Sequence, residues 1–484
     1  MPDKRKSRSI LWIGEEIVYA TRGQGEDTDW KATGVSIDTR TLEPGDIFIA
    51  LEGEKNDGHK YVAQAFKKGA VAAIVTHVPQ EITNYAARCV VVEDTLDALQ
   101  NMGRAARANF TGVSVGVTGS VGKTGTKEML SACFGALCQC HASQSSFNNH
   151  IGVPLSLALM PSGTDVGVFE MGMNHADEIT QLSKISKPDI AIITTIEAVH
   201  IENFDNIEGI ADAKAEIFDG MSTQGHVILN ADNPYFGRLK AAAETAGIQN
   251  IYGFGKSDKA RARLLEIVDA VNGVWLRADI DGEIVECTLP MSGEHHAMNA
   301  LSVLMAVKIT GYDLHKAVRA LGGVSMMQGR GRRETLDYGD SNNPVTLIDE
   351  SYNASPVAMK AAFKVLALID PGRGGRRIAV LGNMLELGDK SADYHKDLAL
   401  PLQAADIDFV YTCGSMMRHL HENLPQDKAA AHKETSEELA EIIPEAITPG
   451  DVVMVKGSLG SRMKVVVEAL RSYPEKREAA KSTK

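Results

Sequence analysis

Thr118-Gly119-Ser120-Val121-Gly122-Lys123-Thr124 follows the β-branched run Val113-Ser114-Val115-Gly116-Val117 and precedes the helical pattern Lys127-Glu128-Met129-Leu130-Ser131-Ala132. A glycine-rich turn between a strand and a helix is built to cradle phosphates. Its glycines let backbone N–H groups from Thr118 to Gly122 approach the oxygens, and the helix N-terminus favours their charge. Lys123 reaches the terminal phosphates and the Thr124 hydroxyl can ligate Mg²⁺. The strict pattern asks for glycine five positions before Gly122, where Val117 stands; the glycines fall at 116, 119 and 122 instead. Gly-Lys-Thr in this context still predicts nucleotide binding. The alternative is an ordinary glycine-rich turn.

Working outward, strands alternate with helical stretches. A first set contains Val71–Val75 and Cys89–Val92; a second contains Val113–Val117, Val166–Phe169, Ile190–Ile193 and Val227–Leu229. A third contains Val345–Ile348, Ile378–Leu381, Phe409–Tyr411 and Val452–Val455. This alternation predicts an α/β protein with parallel, doubly wound sheets. Seams at Asn109–Gly112 and at the Gly/Arg-rich Gln328–Arg333 divide it into residues 1–110, 111–327 and 328–484. Three units also suit a chain of 484 residues. The second seam reads as a hinge, and the polar tail after Pro474 as frayed.

The net charge of −13 argues against nucleic acid as a partner, since phosphate backbones select basic faces. No apolar run approaches the ~20 residues of a membrane span, and Ile10–Ile13 is too short for a signal-peptide core. The six cysteines complete no zinc spacing and read as buried apolar residues of a reducing cytoplasm.

Three residues stand out chemically. Between Ile207 and Met221, Ile207, Ile210, Ala211, Ile217, Phe218 and Met221 form a helical apolar stripe with Lys214 in its middle. Such a lysine must snorkel, pair with a carboxylate, or lose its charge. As a neutral amine it can take up CO₂ and become a carbamate, an anionic oxygen ligand. Glu170 ends the Val166–Phe169 strand and His200 follows the Ile190 strand, where ligands of doubly wound sheets gather. Glu170 offers the hard oxygen that Mg²⁺ prefers; His200 is equally an ordinary loop histidine.

The chain resembles the Mur ligases of bacterial cell-wall precursor synthesis. The resemblance runs through Ser36-Ile37-Asp38-Thr39-Arg40, Asp57-Gly58-His59, the phosphate loop, Phe147–Pro154, Glu170-Met171-Gly172, His200 and Lys214. It continues through His295 with Asn299, Arg330, Asp349–Ala354, Leu381–Gly388 and Lys456-Gly457-Ser458. It implies an N-terminal UDP-binding α/β domain, a central ATP-binding parallel sheet and a C-terminal Rossmann-like domain. It further implies that Ser36, Asp38, Thr39, Arg40, Asp57 and His59 lie near the UDP end of the substrate, with Asn148, Asn149, Tyr352, Asn353 and Ala354 also substrate-binding. His295, Asn299, Arg330 and Asp349 should contact ATP. Thr124, Glu170, His200 and a carbamylated Lys214 should hold two Mg²⁺ ions. Lys123, Lys214 and His200 are the implied catalytic residues, His200 being one candidate to take the amine proton.

Within the family the pattern resembles the branch joining D-alanyl-D-alanine to UDP-N-acetylmuramoyl-tripeptide through an acyl phosphate, in a cytoplasmic monomer. A rival is a diaminopimelate- or lysine-adding ligase; its Asp-Asn-Pro-Arg motif is missing from the third unit, where Tyr411–Ser415 stands. A second rival is a nucleotide switch without ligase chemistry, for which a second metal site would be superfluous. Gly125, His296, Glu350, Ser355 and Asn383 depart from the usual family residues.

Overall fold

The structure, a computed structural model, describes residues 8–482 apart from 54–55, 145–146, 200, 272 and 325–327. The phosphate-loop strand Val113–Thr118 is fully paired, between Ile190–Ile193 on one side and Val166–Glu170 on the other, all parallel. The chain leaves this strand for the edge strand Cys140–Ala142, comes back to Val166–Glu170, then crosses to Ile190–Ile193. That reversal of direction leaves a crevice at the carboxyl end of the phosphate-loop strand. The sheet continues in parallel through His226–Asn230 and Asn250–Gly255 to Ala262–Ala270, and ends in the antiparallel strands Gly273–Ile280 and Glu283–Leu289.

Both faces of the parallel part of this nine-stranded sheet are covered, so its central strands read as unbroken apolar runs. Helices Lys123–Gly135, Glu294–Thr310 and Leu314–Leu321 pack one face. Glu178–Ser186, Ile207–Ala215 and Phe236–Thr245 pack the other.

The N-terminal unit has four short parallel strands in the order Gly34–Ser36, Asp46–Ile49, Ala72–Val75 and Cys89–Val91. Helix Thr95–Asn109, capped by the Asp94 carboxylate, carries the chain out of it. Gly103 lies so near Pro154 that an added Cβ would stand 3.0 Å from its Cα. Arg107 donates to the Ser186 and Lys187 carbonyls at 2.7 and 2.9 Å, and Trp12 Nε1 to the Ala158 carbonyl at 2.8 Å. The first seam is thus clamped rather than loose.

The C-terminal sheet has the order Arg332–Leu336, Val345–Glu350, Val452–Lys456, Arg377–Gly382, Phe409–Cys413 and Ala429–Lys433, parallel but for the first strand. The expected fraying after Pro474 is not what the structure shows: helix Lys464–Ser482 runs through it. Proline lacks the N–H that would bond the carbonyl four residues back. That carbonyl, of Leu470, is taken by the buried Tyr338 hydroxyl at 3.1 Å. Among the described residues, no helix is long and apolar enough to cross a membrane.

Candidate active site

The phosphate loop is held open by its neighbours. Ser120 N donates to the Thr195 carbonyl at 2.8 Å and Thr194 Oγ1 to the Val121 carbonyl at 2.6 Å, tying the turn to the end of the adjacent strand. Gly122 has φ +91°, and a Cβ there would lie 2.9 Å from Asn299 Nδ2, so glycine is required twice over. Lys123 Nζ donates to the Gly119 carbonyl at 2.6 Å, folded over the cradle. Burial, and then Arg330, lower its pKa, while Glu170 raises it.

Glu170 is 1% exposed at the end of its strand. One carboxylate oxygen accepts from Asn148 Nδ2 at 2.8 Å; the other is buried without a hydrogen-bond partner among the described residues. The stripe of Lys214 is the buried face of helix Ile207–Ala215, which Asn206 caps. The helical period ends there, and a tighter 3₁₀ turn, Glu216–Gly220, completes the segment. Lys214 is 1% exposed. Burial, then the charge of Lys123, push its pKa well down against the weaker pull of Glu216 and Glu178. The position of His200 lies outside the described residues.

A cavity of about 820 Å³ opens from the loop toward the C-terminal unit, lined by Gly122, Thr124, His295, His296, Asn299, Arg330, Glu350, Asn353 and Lys456 among others. His295 and His296 present their rings 4.0 Å apart at the start of helix Glu294–Thr310. Burial, and then His295, hold His296 neutral, and its Nδ1 is buried with no partner among the described residues. From the second seam, the Arg330 guanidinium stacks 4.3 Å over the Tyr352 ring. Arg333 donates to the Val271 carbonyl and, at 3.1 Å, to Ser292 Oγ, which anchors the entry strand on the central unit.

Other sequence candidates lie elsewhere. Asp349 does not line the cavity: its carboxylate accepts from Ser351 Oγ at 2.6 Å and from Arg471 of the last helix at 3.2 Å. Asn149 Oδ1 accepts the Gly152 N–H at 2.9 Å, ahead of helix Gly152–Ala158. Ser36, Asp38, Thr39, Arg40, Asp57 and His59 cluster at the carboxyl edge of the N-terminal sheet, away from the lining of this cavity. There Asp38 and Arg40 form an exposed ion pair at 2.6 Å. Thr39 Oγ1 donates to Gln64 Oε1 at 3.1 Å. His59 Nε2 accepts the Thr76 N–H at 2.9 Å, so its Nδ1–H is the one that donates to Asp57, at 2.8 Å. With both ring nitrogens occupied, the nearby Glu52–His59–His77 cluster is a poor metal site. Ala354 is buried in the core of the C-terminal unit.

Comparison with known proteins fits this geometry. The description "Mur ligase family, catalytic domain" matches residues 31–107, "Mur ligase middle domain" 117–307, and "Mur ligase, glutamate ligase domain" 331–459. The chain belongs to the Mur ligase family.

This Mur ligase is 34% identical to the UDP-N-acetylmuramoyl-tripeptide–D-alanyl-D-alanine ligase of Rickettsia prowazekii, over 90% of its own length and 94% of the relative's. The Bacillus subtilis protein of the same name is also 34% identical, over 95% and 97%. Among solved structures it resembles a MurF from Acinetobacter baumannii (28% identity, TM-score 0.82, 95% of this chain and 99% of that one). It also resembles the Thermotoga maritima MurF in complex with ADP (25%, TM-score 0.74, 92% and 98%). The three-domain α/β fold is that of the family. Sequence reasoning assigned no role to Lys456, which lines the cavity; its one signal was a position at a strand end, the same kind of place as Glu170.

Proposed function

We propose that this Mur ligase joins D-alanyl-D-alanine to UDP-N-acetylmuramoyl-tripeptide with cleavage of ATP to ADP and phosphate, a cytoplasmic step of peptidoglycan precursor synthesis. The observation that carries the reading is the convergence of Lys123, the half-orphaned Glu170 carboxylate and buried Lys214 on one phosphate loop. A protein that only binds nucleotide needs no such set. The near full-length match to ligases of this name supports the substrate pair.

In the proposed reaction the terminal carboxylate of the tripeptide attacks the γ-phosphorus of ATP in line, and ADP leaves. Lys123 swings from the Gly119 carbonyl onto the transferring group, where a cation offsets charge spread over its oxygens. The acyl phosphate is then attacked at its acyl carbon by the dipeptide amine, phosphate departs as the amide forms, and the amine nitrogen gives up a proton, for which His200 is one candidate acceptor. Closure about Gly329–Arg333 keeps water from the acyl phosphate. The Arg330–Tyr352 stack couples that hinge to the turn Tyr352-Asn353-Ala354, which we assign to substrate. Asp349 acts through the turn from behind, accepting from Ser351 Oγ.

The residues present fit Mg²⁺. The Glu170 oxygen with no partner among the described residues, the Thr124 hydroxyl and, after carbamylation, Lys214 would form a hard oxygen set, to which the family resemblance adds His200. Two such ions would supply Lewis-acid neutralisation of the phosphate oxygens. His295, Asn299 and Arg330 are assigned to the nucleotide. Asn148 orients Glu170, and the cluster at the N-terminal sheet edge is assigned to the UDP end. The proposed limits of the three units are 1–110, 111–327 and 328–484, in a monomer.

The test offers purified protein ATP, Mg²⁺, UDP-N-acetylmuramoyl-tripeptide and D-alanyl-D-alanine, and follows phosphate release. A parallel reaction offers UDP-N-acetylmuramoyl-dipeptide with diaminopimelate or lysine. Turnover only in the second reaction would transfer the protein to the neighbouring branch.

A further inference from the structure

Lys456-Gly457-Ser458 and the Leu381–Gly388 stretch take no part in the reaction as written above, yet the fold laces them to the substrate turn. Lys456 ends its strand directly opposite Glu350 in the parallel ladder, with Leu381 on its other side. Its side chain is 3% exposed. The ammonium donates to Glu350 Oε2 at 2.9 Å and to the Asn353 carbonyl at 3.0 Å. Two of its three N–H donors are thereby spent, and one remains for the cavity it lines. Two residues on, Ser458 Oγ accepts the Leu385 N–H at 3.0 Å, and Ser458 N donates to the Asn383 carbonyl at 3.1 Å. Three loops at the carboxyl ends of three adjacent strands are thus tied at one point.

We propose that Lys456 is a positioning residue that sets the Tyr352-Asn353-Ala354 turn against the nucleotide cavity and keeps the Glu350 carboxylate from facing the triphosphate unpaired. The inference rests on the ligase reading given above. The two roles separate physically. Removing the lysine alone leaves a carboxylate on the wall of an anion-binding cavity, a like-charge penalty that a second change at Glu350 relieves. The turn, by contrast, loses its hold on the Asn353 carbonyl in the single and the double variant alike.

Lys456→Met, Lys456→Arg and Lys456→Met/Glu350→Gln are compared with the wild-type chain in two assays. Hydrogen exchange of the segment 350–356 is followed with and without ADP, and steady-state kinetics are run with D-alanyl-D-alanine, normalised to folded protein. Lys456→Met is expected to speed exchange in this segment at least tenfold and to lower kcat by on the order of 10²-fold. Its ADP affinity should fall about tenfold and recover in the double variant, while kcat does not. Lys456→Arg should recover part of both exchange protection and kcat. Unchanged exchange in Lys456→Met would overturn the positioning role, as would a kcat fully restored by Glu350→Gln. If Lys456→Met does not fold, Lys456→Arg against Glu350→Gln reads the same exchange, and identical protection in both would overturn it. A wild-type chain inactive with D-alanyl-D-alanine would sink the substrate assignment and leave the exchange result to decide the role of Lys456.

Discussion

Replacing Lys214 by methionine should stabilise the fold while abolishing turnover. Methionine keeps the length and apolar contacts of the lysine stem but removes an amine that is 1% exposed. Burial, then Lys123, depress the folded-state pKa of Lys214, so between the folded value and the ordinary one the unfolded chain binds a proton that the folded chain does not. That difference costs stability most at low pH, and the cost fades as pH climbs through the folded value toward the ordinary lysine value of ~10.4. Relief of a buried polar group at a functional site typically gains about 1–2 kcal/mol. For a domain of this size that corresponds to roughly 2–8 °C in Tm. The assay is thermal unfolding of both proteins in CO₂-depleted, Mg²⁺-free buffer at pH 7 and pH 9.5, with phosphate release measured separately. The variant should melt higher at pH 7, and its advantage should shrink at pH 9.5. A variant that melts lower at pH 7, an advantage independent of pH, or retained turnover would each refute the reasoning.

Lys123→Ala should fold normally and lose on the order of 10³-fold in kcat, since one cation is withdrawn from the transferring phosphate while the backbone cradle stays; near wild-type phosphate release would move the site elsewhere. Gly122→Ala forces φ +91° on a residue with a Cβ and pushes against Asn299, so ADP titration should show affinity weakened about tenfold or more, with the fold destabilised by roughly 1–3 kcal/mol. Tyr338→Phe leaves the Leu470 carbonyl, already deprived of its helical donor by Pro474, without a partner. Urea unfolding should register a loss of about 1 kcal/mol or more, and an unchanged midpoint would show that the carbonyl finds another donor.

Much of the site was legible because its signals are local. Glycines at 119 and 122 followed by Lys123 and Thr124 occupy one strand-to-helix turn, and that turn is where the structure has them. Lys214 could be singled out from a helical period alone, and it is buried. The apolar runs of the doubly covered sheets were readable for the same reason, since a strand buried on both faces needs no partner to declare itself. Strands 262–270, 273–280 and 283–289 escaped notice. Their charged residues alternate with apolar ones, as in Arg277 and Asp279, because one face of that antiparallel extension is in water.

What the sequence by itself determined is the glycine-rich turn with its lysine, the buried place of Lys214 and the α/β frame that carries them, since composition, period and turn chemistry act within a few residues. Only the tertiary structure decided how those groups are paired. Asp349, read as a nucleotide contact, is turned toward Arg471, 122 positions away, and Lys456 meets Glu350 across 106 positions. The physical reason is that the order of strands in a parallel sheet is set by crossover connections and by burial of whole helices, not by the residues at the strand ends. Those end residues inherit their neighbours from the topology.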